Sequence, residues 1–353
     1  MVKKSENIIV GISVGDLNGI GSEIILKTFE DSRMLEFCTP VIFANTKVFS
    51  LINKVLETNI SFHGIDNINQ LVFGKINVLN IWRENVNIEF GKENQQLGKY
   101  AVQSFKQATK ALKEGKIDVL VTAPINKHTA ESEDFKFAGH TEYLNQELEG
   151  EALMLLTSED LRVGLITGHV PLKDVSSKLD ESLIRKRVEV LKNTLIQDFS
   201  ITKPKIAILS LNPHCGDGGV IGTEDDKILK PTIQKFFDEG YLVFGPFSAD
   251  GFFGNESYKK YDAVLATYHD QGLIPFKTLA FGQGVNYTAG LDKIRTSPDH
   301  GTAFDIAGKG KADFSSFREA VYLALDIYHS RNQHHEISKK PLRITEKQSE
   351  PRR

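Results

Sequence analysis

Three apolar runs in this chain end at a histidine: LRVGLITGH at His169, IAILSLNPH at His214 and DAVLATYH at His269. As strands of one parallel sheet, these runs would bring three imidazoles to the crevice outside the strands' carboxyl ends, where such sheets hold their ligands. Three neutral imidazoles make a metal site, and three protein ligands leave a coordination position for water or substrate, as catalytic sites do. A single histidine after a strand is more often a surface or hydrogen-bonded residue, and the chain has 10 of them. The neighbours sharpen the reading. His214 sits in LNPHCGDGG, where Pro213 breaks the pattern and Gly216, Gly218 and Gly219 let the backbone turn sharply around whatever is bound. His269 is followed by Asp270 and Gln271, which are placed to support it.

The elements that must position these residues read as alternating strand and helix. NIIVGISVGD opens as a strand, followed by the glycine-rich turn GDLNGIG at 15–21 and a helical pattern over 22–30. PVIFA at 40–44, a helical stretch from Thr46, an amphipathic pattern over 95–113 and the strand DVLVTAP at 118–124 continue the alternation. GDLNGIG has the wrong glycine spacing for a dinucleotide fingerprint, and its expected use is to let backbone N–H groups approach an anion. A charged helical pattern over 180–198 reads as a solvated outer face. After SFREAVYLALDIYHS the polar segment RNQHHEISKKPLRITEKQSEPRR reads as a tail with little to bury, in which His334 and His335 are solvated.

Composition excludes some functions. With 353 residues, 40% hydrophobic, 25% charged and a net charge of −3, the chain fits two lobes or one large α/β unit with a cleft, without the basic excess that favours nucleic acid or an anionic membrane. No apolar stretch approaches the roughly 20 residues of a membrane span, and MVKKSENIIVGISVGD turns polar too early for a secretory signal, so the expected location is cytoplasmic. Cys38 and Cys215 form no disulfide framework or zinc knuckle, and Cys215 reads as a small apolar filler.

Several strings together resemble one family: GDLNGIGSEI, VTAPINK, GHTEYL, LNPHCGDGG, YHDQGLIPFK and VNYTAGLDKIRTSPDHGTAFDIAGKG, ordered over about residues 8–330. They are similar to the 4-hydroxythreonine-4-phosphate dehydrogenases of pyridoxal phosphate biosynthesis. That resemblance implies a two-lobed α/β fold of the isocitrate and isopropylmalate dehydrogenase type, with an interlobe active site completed across a homodimer. The lobes expected are residues 1–125 with 296–332, carrying the cofactor loop, and residues 126–295, carrying metal and substrate, followed by a tail at 333–353. His169, His214 and His269 fall on the family's divalent metal positions, one of them supplied by the neighbouring subunit. His140, Thr141, Lys277, Asn286 and Arg295 fall on its substrate positions. Asp250 and Asp270 are further catalytic candidates, and His300, Gly301 and Asp305 are candidate contacts to NAD. The chain departs from the family where Leu17 and Ser22 replace prolines of the opening turn, and where Cys215 replaces the usual alanine.

The reaction so implied is NAD-dependent oxidation of 4-phosphooxy-L-threonine at C3 to a 3-oxo acid, which loses carbon dioxide to give 3-amino-2-oxopropyl phosphate. NADP is an alternative acceptor. Zinc suits three imidazoles best, with magnesium, cobalt or manganese as alternatives. Lys277 and Arg295 would hold phosphate and carboxylate, with Arg295 suited to bidentate contact. Lys277, Asp270 or a metal-bound water stand open as the general base. Rival readings are a D-threonate or D-erythronate 4-phosphate dehydrogenase of the same fold, a metal-dependent phosphatase, and a non-catalytic phosphate-binding protein.

Overall fold

The computed structural model describes residues 7–130 and 139–339. Twelve strands form one sheet: β1 (Ile8–Ser13), β2 (Cys38–Ala44), β3 (Phe62–Ile65), β4 (Ile76–Asn80), β5 (Val119–Thr122), β6 (Gly150–Thr157), β7 (Arg162–Leu165), β8 (Ile206–Leu209), β9 (Val243–Phe247), β10 (Ala263–Ala266), β11 (Val285–Leu291) and β12 (Ile294–Pro298). Their order is β3-β4-β2-β1-β5-β12-β11-β6-β7-β10-β8-β9. The first six are mutually parallel, and so are the last four. Between them β12, β11, β6 and β7 pair antiparallel, so the two parallel blocks run in opposite senses. The three histidine-ended runs are β7, β8 and β10, neighbours in the second block as their composition suggested. The antiparallel joint was not expected from the sequence.

Strands covered on both faces must be apolar on both, and every residue of β2, β5, β8 and β10 is buried. The expected helices follow. Thr46–Val55 is capped by the Asn45 side chain and Gln95–Lys113 by Asn94. Glu181–Gln197, capped by Asp180, buries Ile184, Val188, Leu191 and Leu195, so only its other side is solvated.

The GDLNGIG turn has a different task from the one expected. Its residues are all buried, and four of its N–H groups are bonded within the protein: Asp16 to the Pro124 carbonyl, Asn18 to the Asp16 carboxylate, Gly19 to the Asp16 carbonyl, and Ile20 to that of Thr302 at 3.0 Å. Gly19 is required because a Cβ there would stand 2.9 Å from the Thr302 oxygen. Glu23 and Lys27 extend the brace, with Glu23 accepting from the Ala312 N–H and the Lys27 ammonium donating to the Gly310 and Ala312 carbonyls. The turn therefore fastens the 299–312 loop to the first block.

The last helix, Ser315–Ser338, runs eight residues beyond the pattern that ended at Ser330 and includes His334 and His335. Arg331 holds it down. Its guanidinium donates to the Asp198 carboxylate at 2.6 Å and to the Tyr287 hydroxyl at 2.9 Å, and Tyr287 in turn donates to Asp198 at 2.5 Å. The carboxylate of Asp198 is 2% exposed. Arg331→Met leaves that charge buried without its cation, and the expected loss is about 3–5 kcal/mol, read as a lowered urea midpoint. An unchanged midpoint would show that the pair does not anchor the helix. The segment after residue 339 lies outside the described residues.

Candidate functional site

A cleft of about 330 Å³ lies over the antiparallel joint of the sheet. Its floor is one pleat face. Leu156, Asn286 and Ser297 stand in one register row across β6, β11 and β12, with Met154 and Arg295 two residues along on the same face. Its walls are the segments leaving strand ends: 122–125 after β5, 298–301 after β12, His169 after β7, and the helix His269–Leu279 after β10, which brings Lys277. The helix His140–Glu147 adds its first turn. Nine of the residues singled out from the sequence thus meet here: His140, Thr141, His169, His269, Lys277, Asn286, Arg295, His300 and Gly301.

Arg295 is the electrostatic centre. The side chain is 2% exposed, and its guanidinium donates to the hydroxyls of Thr122 (3.0 and 2.5 Å) and Thr288 (3.1 Å), with no carboxylate in hydrogen-bond contact among the described residues. Burial pushes its pKa down to about 9, against a weaker opposing pull from Glu142. A buried cation bonded only to neutral hydroxyls lacks its counter-ion, which an anionic ligand would supply. Lys127 and Lys277 line the same cleft, the latter donating to the Asp299 carbonyl at 3.0 Å. Burial, then the charges of Arg295 and Lys127, lower the pKa of His140 well below its ordinary value, so its ring is neutral.

Four buried polar atoms of the lining have no hydrogen-bond partner among the described residues: His140 Nε2, Glu142 Oε2, Asn286 Oδ1 and His300 Nε2. Buried polar groups are normally satisfied, so this concentration marks where ligand groups belong. His300 Nδ1 lies 3.0 Å from the Gly301 carbonyl and must carry the proton, which makes Nε2 an acceptor.

His169 and His269 lie with ring centres 5.6 Å apart, close enough for one nitrogen of each to reach a common ion at about 2.1 Å. Each ring has its Nδ1 against a carboxylate: His169 on Glu142 at 3.0 Å, His269 on Asp270 at 2.7 Å. A carboxylate can only accept, so Nδ1 bears the hydrogen and Nε2 keeps a lone pair, the arrangement common to metal-bound histidines. These residues fit a divalent ion. His214 is not with them. Among the described residues no group of three or more histidine, cysteine, aspartate or glutamate side chains gathers as a metal site within this one chain. His214 is exposed on the loop Pro213–Gly219, whose residues His214, Cys215 and Asp217 hold left-handed backbone at φ of 52°, 56° and 44°.

The carboxylate candidates are also redistributed. Asp270 does not line the cleft and acts through His269. Asp250 accepts from the Ser248 hydroxyl and the Gly251 N–H, which hold its pKa down with a further contribution from His214, so it belongs to the His214 neighbourhood. Asp305 is exposed outside the lining, its carbonyl accepting from Lys309. Three titratable lining residues had been assigned no role: Lys127, Glu142 and Asp299, whose carboxyl is pushed up by burial against the pull of Lys277 and His300. All three stand inside strings already noted (VTAPINK, GHTEYL and SPDHGTAFDIAGKG), but no periodicity marks which residue of a loop faces a cleft.

Residues 36–324 match the family model described as pyridoxal phosphate biosynthetic protein PdxA. A 4-hydroxythreonine-4-phosphate dehydrogenase from Bacteroides thetaiotaomicron is 45% identical over 95% of this chain and 92% of that protein. A protein of Oceanobacillus iheyensis named as a D-threonate 4-phosphate dehydrogenase is 36% identical over 92% of this chain and 98% of its own length. The crystal structure of 4-hydroxythreonine-4-phosphate dehydrogenase from Klebsiella pneumoniae superposes with a TM-score of 0.78 at 33% identity, covering 92% of this chain and 99% of that one.

Proposed function

The chain belongs to the pyridoxal phosphate biosynthetic protein PdxA family and is an oxidoreductase, and from that premise we propose that it oxidises 4-phosphooxy-L-threonine at C3 with NAD and a divalent metal. The observation that carries the reading is Arg295, a buried cation without a carboxylate partner among the described residues, flanked by Lys127 and Lys277. A substrate bearing a phosphate at one end and a carboxylate at the other would neutralise this cluster. Membership of a dehydrogenase family leaves the phosphatase and the passive phosphate-binding readings without support.

In this reading His169 and His269 hold the metal from one chain and His214 completes the set from a second copy. Val220 and Ile221, beside the His214 loop, are exposed apolar residues, as are Ile274, Leu279 and Phe281 on and after the His269 helix. Covering both patches in a homodimer would place the two half-sites together. When bound, the ion supplies a fixed positive charge that favours loss of the substrate hydroxyl proton. Asp270 and Glu142 fix the two rings. Lys277 is the general-base candidate that faces the cleft, while Arg295, Lys127 and the neutral His140 with Thr141 orient the anionic ends. NAD, which His300 and Gly301 would hold, would supply the acceptor for the C3 hydride, and Lys277 would take the hydroxyl proton, so that the oxidation leaves a ketone at C3. The bond between C2 and the carboxylate then breaks, carbon dioxide leaves, and C2 takes a proton to yield 3-amino-2-oxopropyl phosphate. His300 and Gly301 stand at the cleft rim on the braced loop, where the acceptor atom of His300 fits a donor of the dinucleotide.

The O. iheyensis relative supports a second substrate, since D-threonate 4-phosphate presents the same anionic ends and differs chiefly in carrying hydroxyl for amine at C2. Metal-supplied protein given NAD and either substrate decides between them by NADH absorbance. Chelator-sensitive turnover of the amino substrate is expected, and turnover confined to sugar-acid phosphates would replace the substrate.

A further inference from the structure

We infer that Glu142 joins the two halves of the site: one carboxylate oxygen positions His169, and the other receives the hydrogen-bond donor that the substrate carries on C2. The inference rests on the function proposed above and concerns a residue to which that reading gives only the ring. The two carboxylates that hold the histidine pair are not equivalent. Asp270 follows His269 directly and its side chain is 71% exposed, so its second oxygen meets water. Glu142 reaches His169 from a separate helix, His140–Glu147, at 3.0 Å through Oε1. Its Oε2 is buried, has no partner in another residue among the described residues, and belongs to a residue lining the cleft. Gly139 gives that oxygen room, since a Cβ there would stand 3.3 Å from it.

A carboxylate oxygen only accepts, and one withdrawn from water without a donor is costly to maintain. The cations of the lining attract the anionic ends of the substrate, which leaves its C2 ammonium as the group in need of an anion. Glu142 is within electrostatic reach of Arg295, so an acceptor for the C2 donor and a cation for the anionic end stand side by side. Binding the ammonium at Oε2 would hold the neighbouring C3 hydroxyl toward the ring whose lone pair Oε1 has oriented. The C2 hydroxyl of a sugar-acid phosphate can donate to the same oxygen but brings no charge to it.

The test separates the two oxygens. Glu142→Gln keeps the shape, and its amide carbonyl can still accept from His169 Nδ1, but the amide nitrogen would face the substrate donor with another donor. Glu142→Ala removes both contacts. Zinc affinity of metal-free protein, measured by competition with a chromogenic chelator and no substrate, should fall about 10- to 100-fold in the alanine variant and much less in the glutamine variant. KM for the amino substrate should rise about 10- to 100-fold in the glutamine variant, with kcat much less affected. Glu142→Asp keeps the charge but falls short of His169; it should weaken zinc as alanine does and replaces that variant if it fails to fold. Wild-type zinc affinity in the alanine or aspartate variant, or wild-type KM in the glutamine variant, overturns the inference. If the wild type turns over only the hydroxy-acid phosphate, the substrate reading fails separately. The KM comparison is then made with that compound, and an unchanged value overturns the role of Oε2.

Discussion

Arg295→Met should lower kcat/KM for the phosphorylated substrate roughly a hundred- to a thousandfold while leaving the unliganded protein about as stable as the wild type. Truncating one partner of a buried, hydrogen-bonded charge pair costs about 2–5 kcal/mol, which sets the size of the kinetic loss. The stability expectation follows from the same burial. The guanidinium is held down at about 9, well below the ordinary arginine range. Because the folded value is the lower one, its stabilising contribution exists only above the unfolded pKa and is lost as pH falls through the folded one, so at neutral pH the empty protein carries the full penalty. Methionine removes that penalty and also removes the hydrogen bonds to Thr122 and Thr288, worth about 1 kcal/mol each, so the two changes nearly offset. Inorganic phosphate should raise the wild-type Tm by occupying the site and leave that of the variant unmoved. A variant that melts far lower with an unchanged KM would make Arg295 a structural residue of the joint between β12 and β11.

Why this arginine is buried was only partly legible beforehand. The string VNYTAGLDKIRTSPDHG marked Arg295 by resemblance, yet periodicity alone could not show that β11 and β12 form an antiparallel joint with β6, because alternating strands and helices point to a parallel sheet throughout. The register across that joint puts Asn286 and Ser297 opposite each other and aims Arg295 at the same face. Strand pairing between segments far apart in sequence decides such a floor, and a local pattern does not encode it.

The histidines divide in the same way. His169 and His269 were readable because β7 and β10 are adjacent, short and wholly apolar at their ends, so that each chain segment must emerge at the same place. His214 follows β8, which also pairs with β10, but the left-handed loop carries it away from the other two. Within this chain the glycines that suggested a wrap around a ligand allow an exposed excursion. The glycine-rich turn at 15–21 was misread for a related reason. Glycine permits close approach without specifying to what, and here the approaching group is the protein's own Thr302.

That separation of His214 yields the sharpest expectation for the proposed dimer. His214→Ala and His269→Ala should each lose bound metal and turnover together, since removing one of three ligands leaves too few to hold the ion at an open catalytic site. If His214 acts across a two-fold axis, mixing the two dead variants under conditions that exchange subunits restores activity. A mixed dimer joins the intact His269 of one chain to the intact His214 of the other, giving one complete site and one doubly damaged site. Random exchange makes roughly half of the dimers mixed, so recovery should approach about a quarter of wild-type turnover, with metal returning in proportion. Mixing His169→Ala with His269→Ala should restore nothing, because those two ligands stand 5.6 Å apart within one chain and every dimer then lacks one of them at each site. Recovery in this second mixture, or none in the first, would overturn the placement of His169 and His269 on one chain and His214 on the other.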